Sequence, residues 1–336
     1  MAHELDTSKG FAAIAYNGEL PWHRRGNYED PQRPGETGEE FVKRWAKSAG
    51  VDYPVIHSPV CLPDGTVIPG RVAVMRADTG KVFTVATTRR KDPQPVEIVD
   101  FFADRTGLDM ETAGALKDGA IVWGMAKTNR DFIIRGEDKV KTRLLLATSY
   151  DGSMATSAYW TSVRTVCRNT LRMAIGAAAG AAVRMRHTQI FDTTAIDAQL
   201  GLLDESADDF ERAANLLAER KVTESEIENI IMSLFASYKP QTADEVKAGA
   251  APVLTTQSQN VMQAVVESMA TGPGAELSTA RGTAWGVLNG ITHYVDHAAR
   301  AHNDDNRLHS AWFGKGDALK ADAFKLVREL VPVLAA

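Results

Sequence analysis

The chain has 336 residues, 44% of them hydrophobic and 24% charged, with a formal net charge of -5. That length holds one large domain or two, and the balance is ordinary for a soluble globular protein. Several classes are excluded: no apolar run approaches the roughly 18 residues of a membrane span, and the start MAHELDTSKG lacks the basic and apolar parts of a secretory leader. Cys61 and Cys167 match neither a metal spacing nor a paired redox motif, so a cytoplasmic protein without a disulfide framework is expected.

In chain order, residues 1–50 form an arm rich in Gly, Pro and charge, closed by a short helix in which Phe41, Val42 and Trp45 share a face. From residue 51 the texture changes to strands, two of them flanking a turn at Asp78-Thr79-Gly80. A helix over 95–107 starts at a proline and stops at Gly107. Strands are expected over 119–128, 139–150 and 153–162, the last two joined by the hairpin turn Tyr150-Asp151-Gly152-Ser153. Residues 164–184 read as a long helix with Thr161 or Ser162 as N-cap.

After about residue 190 the pattern is helical almost throughout. One helix there is capped by Thr223 with Glu226 three residues on, and others are expected over 259–270, 282–301 and 317–331. The expected class is α+β: an N-terminal antiparallel sheet with helices (hairpin, helix, three-stranded meander, long helix), then an all-helical C-terminal region. The expected divisions are an arm over 1–50, an α+β core over 51–190 and an acidic helical part over 191–336.

Charge is unevenly spread. Residues 1–190 carry 26 Lys and Arg against 22 Asp and Glu, and residues 191–336 carry 12 against 21. Within the first part, residues 127–186 hold 11 basic and 4 acidic side chains. A basic segment beside an acidic one suggests a local polyanion site. Arg164, Arg168 and Arg172 fall at intervals of four, which on a helix makes one cationic stripe. Guanidinium forks match phosphate oxygens. Lys139, Lys141 and Arg143 on the preceding strand, with Arg184 and Arg186 further on, extend the candidate surface. Tyr159 and Trp160 interleave with it as candidate base-stacking platforms; packing of these rings between sheet and helix is the plainer alternative.

His293, Asp296 and His297 lie within five residues and are the candidate metal ligands. The pattern of a helical zinc protease is absent, and polar packing of a helix against its neighbour is the alternative weighed more heavily. The Leu20–Gly26 stretch, with Trp22, Arg24 and Arg25, reads as a loop that docks on a neighbour or contacts an anion, with a structural arm held by burial of Trp22 as the plainer alternative. No phosphate-binding loop, dinucleotide fingerprint or nucleophile elbow occurs, which disfavours nucleotide-hydrolysing enzymes and ordinary hydrolases.

The blocks PWHRRG, RTVCRNTLR, RMRHT, GTAWGVLNGITHYVDH and SAWFGKGDALKADAFKLV are similar, in order, to signatures of the phage/plasmid-related family of uncharacterised proteins. Arg24-Arg25 and Arg168 depart from that family's pattern. The element order also resembles the core of single-strand annealing proteins of the RecT, Erf and Redβ type, a likeness of topology. That resemblance implies an ATP-independent, oligomeric protein built around a basic groove. The leading expectation is therefore a phage or plasmid DNA-metabolism protein that binds single-stranded DNA and anneals strands as a homo-oligomer, in ring or filament form. No cofactor, catalytic residue or membrane contact is expected, and a phage or host DNA-processing protein is a further expected partner. The alternatives are a non-enzymatic interaction protein that meets a host factor or antagonises defence, and a metal-dependent enzyme using the histidine-rich helix.

Overall fold

Two short strands, β1 (Ile14–Tyr16) and β2 (Asn27–Tyr28), precede helix α1 (Gly38–Ser48). The computed structural model describes residues 13–18, 26–104, 108–128, 130–165, 170–172 and 182–331. α1 begins where the Thr37 hydroxyl accepts from the Glu40 N–H and the Glu40 carboxylate accepts from the Thr37 N–H, a reciprocal cap that satisfies two otherwise orphaned donors. Its buried face carries Phe41, Val42 and Trp45, as the spacing predicts.

Strands β3 (Val55–Cys61), β4 (Val67–Arg76) and β5 (Val82–Thr87) form a three-stranded antiparallel sheet. The β4–β5 connection falls on the expected Asp78-Thr79-Gly80 turn, where the Gly80 N–H donates to Arg76 O at 2.9 Å and Gly80 takes a φ of 72° that other residues rarely adopt. Helix α2 (Pro95–Asp104) follows.

The larger sheet contains β6 (Met110–Leu116), β7 (Ile121–Lys127), β8 (Phe132–Ile134), β9 (Asp138–Ser149), β10 (Thr156–Arg164), β11 (Thr170–Arg172) and β12 (Ala182–Met185). Its order is β11-β10-β9-β7-β6-β1-β2, with β12 also on β10 and β8 also on β9. β1 thus brings part of the N-terminal arm into the sheet. β6 is buried almost throughout, so its Ala/Gly-rich sequence carries no alternation from which a strand could be read.

The long helix expected over 164–184 is corrected at every described position. Arg164 ends β10, Thr170–Arg172 is a strand paired to Thr161–Val163, and Ala182–Met185 is a strand paired to Thr156–Tyr159. Thr161 and Ser162, the expected caps, are ladder residues. The Thr, Tyr, Trp and Val of β10 fit a pleated surface, and an available sheet edge outweighed the helical spacing of three arginines. The middle of that segment, with Arg168, lies outside the described residues, as do Trp22, Arg24 and Arg25.

The C-terminal region is helical: α3 (Thr193–Glu219), α4 (Glu224–Phe235), α5 (Ala243–Lys247), α6 (Thr256–Thr271), α7 (Ala284–His293), a π-helical turn at Tyr294–Ala298, α8 (Asp304–Phe313) and α9 (Lys315–Arg328). α4 carries the Thr223–Glu226 box read from sequence. The fold is α+β, as expected. No helix among the described residues is long and apolar enough to cross a membrane.

Both faces of the large sheet are covered. On one, Ile98 and Phe102 of α2 pack with Val122, Leu144 and Leu146, and the same buried cluster runs on through Phe210, Trp285 and Phe324 of the helical region. Gly124 permits this approach, since a Cβ there would lie 2.9 Å from the Phe102 ring. On the other face, Ile121, Trp123, Leu145 and Tyr159 meet Leu308, Ala311 and Trp312 of α8. The Trp123 and Trp312 rings meet edge to face at 5.0 Å, a geometry worth about 1 kcal/mol beyond burial.

Candidate nucleic-acid interface

The sheet divides the sequence-derived basic group between its two ends. Position 172 pairs with Thr161 and position 164 with Val140, near Lys139 and Lys141. Arg184 pairs with Ser157 at the other end of β10, six residues from Val163, or about 20 Å along a strand. One continuous stripe is therefore not formed by these residues.

Several side chains assigned to the surface are inside it or neutralised. Tyr159 is 2% exposed and its hydroxyl donates to Trp312 O at 3.0 Å. Trp160 is 6% exposed and lies in the core with α2 and the C-terminal helices. These rings pack the sheet and are not stacking platforms. Arg143 is also buried: its guanidinium forms a forked pair with Glu111 and lies 3.7 Å from Asp131. It is neutralised where it stands. Lys139 is half exposed, 3.6 Å from Asp131, and Lys141 is part-buried.

Arg184 and Arg186 are exposed, and the fold gives them neighbours that are remote in sequence. The Lys91 N–H donates to His187 O at 2.5 Å, docking the Arg89–Lys91 loop beside β12. The Thr88 N–H donates to Gly70 O at 3.2 Å, bringing in the Gly70–Arg71 stretch of β4. Arg71, Arg89, Lys91, Arg184 and Arg186 are all exposed. None of these five side chains forms an ion pair with a carboxylate among the described residues.

A buried carboxylate holds these segments together. Asp92 is 2% exposed at its side chain. It receives the Arg90 guanidinium at 2.8 Å and lies 2.9 Å from His57 Nε2 and 3.1 Å from His187 Nδ1. Arg90 also donates to Ser149 O and Tyr150 O, and His187 Nε2 lies 2.9 Å from Met154 O. Burial alone would push the Asp92 carboxyl up. The contacts from His187, Arg90 and His57 outweigh it and hold the group at about 2. The clamp commits Arg90 to Asp92 and leaves the five outer cations facing water. Exposed guanidinium and ammonium groups so arranged can contact successive phosphates.

The histidine-rich segment is differently built. Asp296 is 1% exposed, with Oδ1 receiving Lys320 Nζ at 2.7 Å and Oδ2 receiving the Thr170 N–H at 2.6 Å. Both oxygens are engaged, so the His293, Asp296 and His297 candidate is corrected: the carboxylate serves an ion pair. No group of three or more metal-ligating side chains occurs among the described residues. The His293 and His297 ring centroids lie 4.9 Å apart with the planes inclined at 41°, and burial lowers the His293 pKa against the opposing pull of Asp296.

Sequence reasoning singled out Arg184 and Arg186, which are exposed, but not their neighbours Arg71, Arg89 and Lys91. The run Arg89-Arg90-Lys91 was visible, yet nothing in it pointed to residues some ninety positions later. The family described as Domain of unknown function (DUF932) matches residues 87–312, about two thirds of the chain, and the chain belongs to it. No curated protein and no solved structure matches. The matched span contains four of the five outer cations; Arg71 precedes it.

Proposed function

We propose that this member of the DUF932 family binds single-stranded nucleic acid, the DNA of a phage or plasmid, and promotes strand annealing without ATP as a cytoplasmic homo-oligomer. The carrying observation is the convergence of Arg71, Arg89, Lys91, Arg184 and Arg186 from three distant segments, exposed and without carboxylate partners, in a chain whose net charge is -5. Cations left unpaired at one place in an acidic protein suit a polyanion. Neutralising phosphates on a shared surface lowers the repulsion between two complementary strands, and the chain has no phosphate-binding loop for nucleotide hydrolysis. The phage or plasmid setting rests on the sequence blocks alone.

Fluorescence anisotropy of a labelled single-stranded oligonucleotide, at about 50 and 200 mM salt, tests the reading. Wild-type binding should weaken steeply with salt. Arg89→Ala, Arg184→Ala and Arg186→Ala together should reduce the slope of log affinity against log salt by about 2, at roughly 0.7 per lost phosphate contact on a single strand. Equal slopes for the variant and wild type would overturn the assignment of the rim. No binding by folded protein at the lower salt would overturn the function and favour a protein-interaction role.

A further inference from the structure

The three strands β3, β4 and β5 turn one face to the core and leave the other uncovered among the described residues. Residues paired across strands share a face, and the pairing sets the two faces apart. Inward lie Val55, Val74, Phe83 and Ala86, all packed in the larger buried cluster. Outward, one row is Ile56, Met75 and Val82, the next is Ser58, Ala73 and Val85, and a third pairs Arg71 with Thr87. Ile56, Val82 and Val85 are 43%, 52% and 53% exposed, and neither described buried cluster contains any of them, Ala73 or Met75. The two apolar rows span about 10 Å across the strands and about 7 Å along them. Contiguous apolar side chains left in the open on an ordered sheet call for a partner.

Charge narrows the kind of partner. None of the three strands contains Asp or Glu, in a chain whose net charge is -5. Arg71 stands on the outer face itself, about 7 Å along β4 from Ala73. Arg89 follows the end of β5, where the Thr88 N–H reaches Gly70 O. Both belong to the proposed phosphate-binding group, so the apolar rows continue that surface. The fitting partner combines flat apolar area with regularly spaced negative charge. An unpaired nucleic-acid strand does so, since each base offers a ring face and each sugar is followed by a phosphate. A duplex does not, because its base faces are stacked inside. The rings first assigned to base contact, Tyr159 and Trp160, are in the core, which leaves the bases without a surface on β10.

We infer that unpaired bases lie on the outer face of the β3–β4–β5 sheet, against Ile56, Met75, Val82 and Val85, while Arg71 and Arg89 hold the adjoining phosphates. This contact rests on the single-strand reading above and adds the surface that tells a single strand from a duplex. Aliphatic side chains accept the ring face of any base, so the contact is tolerant of sequence. When two strands pair, their bases leave the face, and only phosphate contacts remain to hold the product. Annealing therefore weakens the grip on the strands it has joined.

A strand without bases provides the test. Anisotropy at about 50 mM salt compares a thymidine oligonucleotide with an abasic one of the same length and phosphate count. Wild-type protein should bind the thymidine strand about tenfold tighter or more, through apolar area that the abasic strand cannot bury. Ile56→Ser with Val85→Ser alters two exposed positions without changing charge. That variant should lose most of the preference and keep the salt slope. Equal wild-type affinities for the two strands would overturn the inference. So would an unchanged preference in the double variant, with circular dichroism showing it folded. A wild-type dimer in sedimentation that the double variant dissociates would also overturn it, by giving the face to a second copy. Equal affinities with a steep salt slope sink the base contact alone; no binding of either strand by folded protein sinks the proposed function with it.

Discussion

Lys320 of α9 and Asp296 of the π-helical turn form an ion pair at 2.7 Å with side chains only 2% and 1% exposed. All three ammonium protons find acceptors: Asp296 Oδ1, Thr170 O at 2.6 Å and Thr170 Oγ1 at 2.9 Å. Asp296 Oδ2 takes the Thr170 N–H. The network ties β11 to two helical elements that lie more than 100 residues later.

Breaking that pair is expected to be costly, because it leaves a charge buried without its partner. Lys320→Met should destabilise the protein by about 3–5 kcal/mol, read as a lower urea midpoint. Adding Asp296→Asn should cost less than the sum of the two single changes. A single-variant loss below about 1 kcal/mol would contradict a charged, buried pair.

The Asp92 clamp makes a prediction about acid. Its carboxyl is held at about 2 in the fold against an ordinary 3.8, so the folded state favours the ionised form. The stabilisation is fully present above pH 4 and is lost as pH falls toward 2. A shift of that size corresponds to roughly 2 kcal/mol. Thermal melts between pH 5 and pH 2.5 should show Asp92→Asn with a shallower acid decline than wild type.

Gly286 and Gly290 let α7 touch its neighbours. A Cβ at 286 would lie 1.8 Å from Ala280 O, and one at 290 would lie 2.1 Å from Met269 Cγ. Both alanine variants should lower the melting temperature, by roughly 1–3 kcal/mol of overpacking or more. Gly286→Ala should be the worse, since a carbonyl cannot rotate away as a methionine side chain can.

Tyr159→Phe separates packing from ligand contact. Removing the buried hydroxyl that meets Trp312 O should cost about 1 kcal/mol while leaving nucleic-acid affinity unchanged. A large loss of affinity at full stability would restore the ring to the surface role its sequence context suggested.

The parts of the fold legible in the sequence are those specified by neighbours a few residues apart. The Thr223–Glu226 box marks a helix start because capping is completed within one turn. The Asp78–Gly80 turn and the face of Phe41, Val42 and Trp45 are equally local. The arginine spacing from 164 to 172 was local too, and misled: four-residue periodicity proposes a helix but cannot report that β10 has a free edge. At the candidate interface, Arg184 and Arg186 stood out within a basic segment, whereas Arg143 stood out equally and is neutralised by Glu111, thirty-two residues earlier.

Composition, capping and turn chemistry by themselves determined an α+β protein with a strand-rich first part and a helical second part, because these signals act over a few residues. Which cations face water was decided only by tertiary structure. Whether Arg143 meets Glu111, or Lys91 meets His187, depends on strand register and loop docking across dozens of residues. Burial likewise turned Tyr159 and Trp160 from surface rings into core. A side chain's charge is written in its formula; its partner and its exposure come from contacts that exist only once the chain has closed on itself.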